Sequence, residues 1–316
     1  MRNYYLDGMF GLVVGDALGV PVEFASREEL KNAPVEDMEG YGTYPMPAGS
    51  WSDDSSMALA TLDALITGYN PVLMMDNFVK WEQHDEYTPT GEMFDEGNTC
   101  STAIWNYMKS KDITTCGLTG ANNNGNGSLM RILPLCIYLY KLEQAGEISE
   151  LEAMQRIHEV SALTHAHLRS KIACGIYYFC VKALIEKQGE VQSCLQTGID
   201  NAFDFYGKEI SNLTELCHFG RIRCLKELKI LPDCEIKSGG YVIESIEAAM
   251  WCLVTTNNYK DCVLKAVNLG DDTDTTAAIA GGLAGLYYGI EMIPEKWKDT
   301  ILRKEWIEEL CNKVKS

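Results

Sequence analysis

Apolar side chains recur along this chain at three- and four-residue steps rather than in alternation. Over 241–254, Val242, Ile243, Ile246, Ala249, Met250, Leu253 and Val254 fall on one face of a 3.6-residue period, which predicts a helix. Similar spacing predicts helices over 3–18, 54–67, 98–109, 128–141, 149–163, 166–186, 210–228, 258–268, 274–288 and 295–313, and Pro71 opens one more. No convincing period-two series marks a strand. Pro34, Pro45 and Pro47 fall in an irregular stretch over 26–52, Pro89 and Gly91 mark a loop, and the run ANNNGNG at 121–127 forms turns. The stretch 207–240 is the least regular and reads as a surface excursion. With no Ser/Gly-rich linker or low-complexity tract, the expectation is an all-α fold, a compact orthogonal multi-helix bundle in one domain over 1–316, and a monomer.

Charge narrows the function classes. Lys and Arg number 27 against 45 Asp and Glu, a net charge of −18. Nucleic acid is disfavoured as a partner, because phosphate neutralisation supplies most of that affinity, and an anionic membrane surface is disfavoured for the same reason. Acidity also keeps a protein soluble, so it does not by itself imply a metal. The 12 cysteines contain no CxxC pair and are scattered through apolar segments, which reads as reduced core residues. The opening MRNYYLDGMF carries Asp7 and no long apolar core, unlike a secretory signal. The longest run of apolar or glycine residues, Ala277 to Ile290, is shorter than the roughly 20 residues of a bilayer span. A cytoplasmic location is expected.

Two carboxylate clusters each precede an apolar helix: WSDDSSM (51–57) and LGDDTDTTAAIAGG (269–282). Capping is the plain explanation for the first, since Ser and Asp oxygens accept the free N–H groups of a first turn. The second is denser, with Asp271, Asp272 and Asp274 among Thr273, Thr275 and Thr276. Mutual repulsion makes it costly unless a cation sits within it. Oxygen donors without His or Cys favour Mg²⁺, Mn²⁺ or Ca²⁺ over zinc. If the clusters face each other they make a two-metal site, a convergence that sequence does not establish.

The stretch NNNGNGSLMRILPL (122–135) sets Gly125, Asn126, Gly127 and Ser128 just before a predicted helix, with Arg131 a turn further on. Glycine N–H groups at a helix start can cradle a pyrophosphate, although a loop with a serine cap has the same pattern. His165 stands at a predicted helix start, Glu23 in a loop after the first helix, and Asp95 where it can cap the helix near 98.

Taken together, GDALGVPVEF (15–24), WSDDSSM (51–57), FDEGNT (94–99), GNGSLMR (125–131), LTHAH (163–167), SGGYVIESIEAAMW (238–251) and AVNLGDDTDTTAAIAGGLAG (266–285) resemble the ADP-ribosylglycohydrolase family over nearly the whole chain. Their order and spacing are similar to its bacterial dinitrogenase reductase-activating branch. The resemblance implies an ADP-ribosylglycohydrolase-like all-α fold with two Mg²⁺ (or Mn²⁺) ions held by Ser52, Asp53, Asp54, Asp272, Asp274 and Thr275. Serine replaces the family's usual threonine at 52 and keeps the hydroxyl. The resemblance further implies Glu23, Asp54 and Asp272 as catalytic residues and Asp95 near the scissile ribose. Gly125, Asn126, Gly127 and Ser128 match the diphosphate and ribose contacts, His165 lies beside the distal ribose, and Gly240 and Tyr241 lie near the pocket.

The activity so implied is hydrolysis of the bond between the distal ribose of ADP-ribose and an acceptor on a protein or small molecule, with arginine the leading acceptor. Such cleavage builds oxocarbenium character at C1″, with metal-bound water and a proton-accepting carboxylate sharing the work. Two rivals belong to other classes: a non-catalytic ADP-ribose binder or immunity-type protein, and a two-metal nucleotide phosphohydrolase.

Overall fold

A computed structural model of the chain describes residues 2–314. Among them there is no strand, only two isolated bridges, Leu118 with His165 and Gly125 with Tyr241. Helices carry the fold in the order α1 (Tyr4–Gly19), α2 (Arg27–Asn32), α3 (Asp53–Leu65), α4 (Pro71–His84), α5 (Asn98–Ser110), α6 (Leu133–Gln144), α7 (Glu150–Ala162) and α8 (Leu168–Glu186). There follow α9 (Val191–Tyr206), α10 (Ile210–Leu216), α11 (Leu225–Lys229), α12 (Val242–Val254), α13 (Tyr259–Val267), α14 (Thr273–Tyr288), α15 (Glu295–Thr300) and α16 (Lys304–Lys313).

The pair α1 and α14 forms the axis of the fold and runs antiparallel. Gly11, Gly15 and Gly19 recur every fourth residue on α1 and meet α14 backbone to backbone. A β-carbon on Gly11 would stand 2.3 Å from the carbonyl oxygen of Gly281, one on Gly15 2.2 Å from that of Ala277, and one on Gly19 2.3 Å from Cα of Asp274. Only glycine allows this approach. It sets the last turn of α1, with Asp16, against the first turn of α14, with Asp274. The hydroxyl of Thr273 locks the junction by donating to the carbonyl of Gly19 at 2.8 Å. Tyr4–Val22 is long and apolar enough to cross a bilayer, although Asp7 and Asp16 interrupt its apolar run. In the fold 83% of that window is buried, the signature of a core helix.

Several predicted boundaries move for identifiable reasons. The helix predicted over 128–141 starts at Leu133, because Pro134 has no N–H to donate back toward Met130 and suits only a first turn. The GNGS run is therefore a turn that ends before the helix, with Leu129 and Met130 donating to the carbonyl of Asn126. The predicted 210–228 helix divides into α10, a 3₁₀ stretch over Cys217–Arg223 and α11. The surface excursion expected over 207–240 is pinned to the core by Leu216, Phe219, Ile222, Leu225, Leu228 and Ile236. The predicted 295–313 helix breaks into α15 and α16, with Arg303 left-handed at φ 52° between them. The pattern reading passes over α9, whose buried stripe of Leu195, Gly198, Ile199, Ala202 and Tyr206 is diluted by Gln, Thr, Asp and Asn on the open face. Nine of the cysteines are buried, as expected, whereas Cys217 and Cys234 are exposed and Cys224 is half-buried.

Candidate active site

The first turns of α3 and α14 meet. Thr275 Oγ1 donates to Asp54 Oδ2 at 3.1 Å across 221 positions of sequence, and Ser52 Oγ donates to the same oxygen at 3.2 Å. Asp16, Asp54 and Asp274 each bring an oxygen within 4.8 Å of the other two, as do Glu23, Asp272 and Asp274. Asp274 belongs to both groups, so two adjacent oxygen nests share one carboxylate. Asp53 belongs to neither; its side chain lines the cleft above.

Capping accounts for part of this chemistry and fails for the rest. Ser52 does cap α3, its hydroxyl accepting from the N–H of Asp54. Asp272 occupies the N-cap position of α14 but makes no side-chain capping bond. Asp95 does not cap α5 either: Gly97 holds that position, and Asp95 sits left-handed at φ 54°. Buried oxygens remain without donors, namely Asp54 Oδ1, Asp274 Oδ2 and Glu23 Oε2. Burial first, then repulsion from Asp16 and Asp53, raises the Asp54 carboxyl well above its usual range. Burial, then Glu23 and Asp54, does the same at Asp274. Burial and the Asp95 charge push Glu23 up to about 8. Crowded carboxylates with free lone pairs and no nitrogen or sulfur donor fit hard divalent cations.

Above the carboxylates opens a cleft of about 340 Å³. Glu23, Asp53, Asp95 and Asp272 line one side, with Gly125, Asn126, Gly127, His165 and Gly240 also in its wall. Asn126 ties the glycine turn to the carboxylates: its Nδ2 donates to Asp272 Oδ2 at 2.7 Å and to Ser245 Oγ at 2.9 Å. Its backbone N–H donates to the carbonyl of Gly240 at 3.0 Å. A β-carbon on Gly127 would lie 2.8 Å from Cys100 Sγ and 2.9 Å from His165 Cε1, so this position has no room for a side chain. His165 is buried and accordingly neutral, its pKa pushed down to about 3 by burial and then by the charge of Arg131.

Two side chains assigned to the pocket from sequence turn elsewhere. Ser128 is fully buried and packs beside Cys174 Sγ at 3.5 Å while accepting from Ser161 Oγ at 3.1 Å. The Tyr241 hydroxyl accepts from Arg169 Nη1 at 2.9 Å, and Tyr241 does not line the cleft. Its backbone, bridged to Gly125, is what braces the glycine turn.

Sequence reasoning passed over Asp16, Tyr44 and Phe24. Asp16 accepts from the N–H groups of Ser52 and Ser55, each at 3.0 Å, and so anchors the start of α3 from α1. Its signal was a single acid inside FGLVVGDALGVPV, a run with no other charge. Tyr44 lies beside Glu23 and Asp95, where burial and then their charges push its pKa up, and its ring meets Phe94 at a tilt of 48° with centroids 4.9 Å apart. Phe24 is 69% exposed on the cleft rim, left-handed at φ 65° and held by its N–H to the carbonyl of Asp271 at 2.7 Å.

The sequence model of the ADP-ribosylglycohydrolase family matches residues 1–316. The chain is 32% identical over 309 residues to an ADP-ribosylarginine hydrolase of Serratia proteamaculans, covering 97% of this chain and 77% of that protein. It is 30% identical over 296 residues to the ADP-ribosyl-[dinitrogen reductase] glycohydrolase of Rhodospirillum rubrum, covering 92% and 88%. A solved ADP-ribosylglycohydrolase-related protein complex superposes with a TM-score of 0.79 at 25% identity, over 99% of this chain and 96% of the other.

Proposed function

This chain belongs to the ADP-ribosylglycohydrolase family, and we propose that it releases ADP-ribose from modified arginine on protein, using two Mg²⁺ or Mn²⁺ ions held between α3 and α14. The observation that carries the reading is the bond from Thr275 to Asp54, which joins the two carboxylate clusters in one floor. Asp54, Asp272 and Asp274 would hold the ions, with Ser52, Thr275 and Asp53 completing the oxygen set. Bound there, such ions orient sugar hydroxyls and lower the pKa of water.

The remaining work falls to the chain's own residues. Glu23 keeps Oε2 free of donors at the cleft wall and is the group to hold and pass a proton as the glycosidic bond breaks. Asp95 stands against Glu23, with burial raising its pKa, and as a carboxylate it would face the carbon that becomes cationic. Asn126 fixes the orientation of Asp272. The diphosphate, itself anionic, is repelled by the carboxylate floor and lies toward the Gly125–Gly127 turn and His165, where the backbone leaves space. Phe24, outward-facing at the rim next to Glu23, offers its ring to the guanidinium of the acceptor. The buried thiols suit a reducing compartment, and we place the protein in the cytoplasm.

Arginine-ADP-ribosylated protein, incubated with this chain and Mn²⁺ or Mg²⁺, is expected to yield intact ADP-ribose, and chelation or Asp272→Asn to stop release. AMP as product would replace this reading with pyrophosphate cleavage. Tight ADP-ribose binding with no release from arginine-, serine- or cysteine-linked substrates would make the protein a binder.

A further inference from the structure

Arg131 lies fully buried, and among the described residues no carboxylate pairs with it. Its Nη2 donates to the carbonyl of Val160 at 3.2 Å and to Thr164 Oγ1 at 2.9 Å. The Phe78 ring lies 4.6 Å from its Cζ, while Nε and Nη1 have no partner. A buried guanidinium without a counter-charge is expensive to keep, and nothing in the carboxylate floor explains it.

Its bond to Thr164 has a consequence one residue further on. Thr164 Oγ1 lies 2.8 Å from His165 Nδ1. A guanidinium only donates, so the hydroxyl accepts from Arg131 and has one hydrogen left to give. His165 Nδ1 is the strong acceptor in reach; Cys100 Sγ, also beside Thr164, is a weak one. If Nδ1 instead carried the ring proton, the buried hydroxyl hydrogen would lose that acceptor. In a neutral imidazole with Nδ1 accepting, the proton sits on Nε2. That nitrogen faces the glycine turn, 3.5 Å from where a β-carbon on Gly125 or Gly127 would be, so the glycines leave room for a ligand atom in front of it.

We propose that Arg131 is a positioning residue which, through Thr164, fixes His165 as a neutral Nε2–H donor aimed into the cleft, there to bind an oxygen of ADP-ribose rather than to act as a base. The tautomer is independent of the hydrolase reading; the identity of the ligand rests on it.

The test is long-range ¹H–¹⁵N NMR of ligand-free, ¹⁵N-histidine-labelled protein at neutral pH. The five histidines make assignment tractable, with His165→Gln identifying the signal. His165 is expected as a single state protonated at Nε2. Thr164→Val should give averaged tautomers, an ADP-ribose affinity about tenfold weaker and a larger change in KM than in kcat, while Thr164→Ser restores all three. Arg131→Met should behave as Thr164→Val does and Arg131→Lys should recover part; if Arg131→Met does not fold, Thr164→Val decides. A wild-type proton on Nδ1, or ring signals unchanged in Thr164→Val, overturns the proposal. Averaged signals with unchanged ADP-ribose affinity overturn the ligand-donor role. Wild-type protein that shows the Nε2–H state but neither binds nor releases ADP-ribose removes the proposed function and leaves the tautomer standing.

Discussion

Replacing Gly15 with alanine tests whether the carboxylate floor depends on the contact between α1 and α14. The new β-carbon would stand 2.2 Å from the carbonyl oxygen of Ala277 and 2.7 Å from its carbonyl carbon. Ordinary contact begins at 3.4 Å, so the helices must part by about 1.2 Å at this point. Both surfaces are backbone, and no rotamer change relieves the clash. Overpacking of this kind costs about 1–3 kcal/mol, from which the helix propensity gained over glycine returns about 1 kcal/mol. The larger consequence is geometric. Asp16 sits one residue on from Gly15, and through it the start of α3 is anchored. Asp16, Asp54 and Asp274 now share a space of 4.8 Å, and cation–oxygen distances tolerate roughly 0.2 Å of error. Calorimetry with Mn²⁺ should show affinity lower by at least about tenfold, alongside a lower urea midpoint. Gly220→Ala, where a β-carbon meets nothing within 4 Å, is the control and should change neither. Wild-type Mn²⁺ affinity in folded Gly15→Ala protein would refute the argument that helix proximity sets the site.

Three further outcomes are expected. Asp54→Asn keeps an oxygen for Ser52 and Thr275 but removes a carboxyl whose ionisation is opposed by burial, Asp16 and Asp53, so the metal-free protein should melt at higher temperature than wild type while the Mn²⁺-induced rise in Tm disappears; a preserved Mn²⁺ response contradicts the ligand assignment. In metal-free protein Glu23 is pushed up to about 8, so the folded state holds a proton that the unfolded chain, with an ordinary value of 4.5, has already released. Stability from this source is present at low pH and lost as pH rises through the folded value. His158 and His165, pushed down to about 4 and about 3, oppose it only below about 6.5. Melting scans without metal should therefore show Tm falling between about pH 6.5 and 8, with added Mn²⁺ raising Tm more at pH 8; a flat or rising metal-free profile over that window contradicts the assignment. Gly127→Ala drives a β-carbon against Cys100 and His165 and should weaken ADP-ribose binding by about tenfold or more at a stability cost of about 1–3 kcal/mol; unchanged calorimetric affinity would show that ligand does not use this turn.

Much of the architecture was legible because helices bury a stripe and the stripe has a period. The 241–254 pattern returned α12 to within a residue. The reading faltered where the stripe was thin, as in α9, and where one residue vetoed the pattern, as Pro134 did in the segment before α6. The carboxylate clusters were legible because six acidic and hydroxyl side chains in 271–276 exceed what one helix cap can use. Their meeting was not, since it is made by contacts more than 200 positions apart. Asp16 went unread because an isolated acid at the end of an apolar helix looks like a boundary. Asn126 was read as part of an anion-binding loop, but its amide reaches Asp272 across 146 positions, a target that local spacing does not reveal.

The partner of α1 is 254 positions further along, at the bond between Gly19 and Thr273. A ribosome adding 5–20 residues per second takes about 10–50 s to cover that interval. Throughout it, the glycine-lined face of α1 lacks the α14 surface that covers it in the finished fold, on a helix long and apolar enough to cross a bilayer. The carboxylate floor, divided between early and late segments, is assembled only once translation has passed the start of α14.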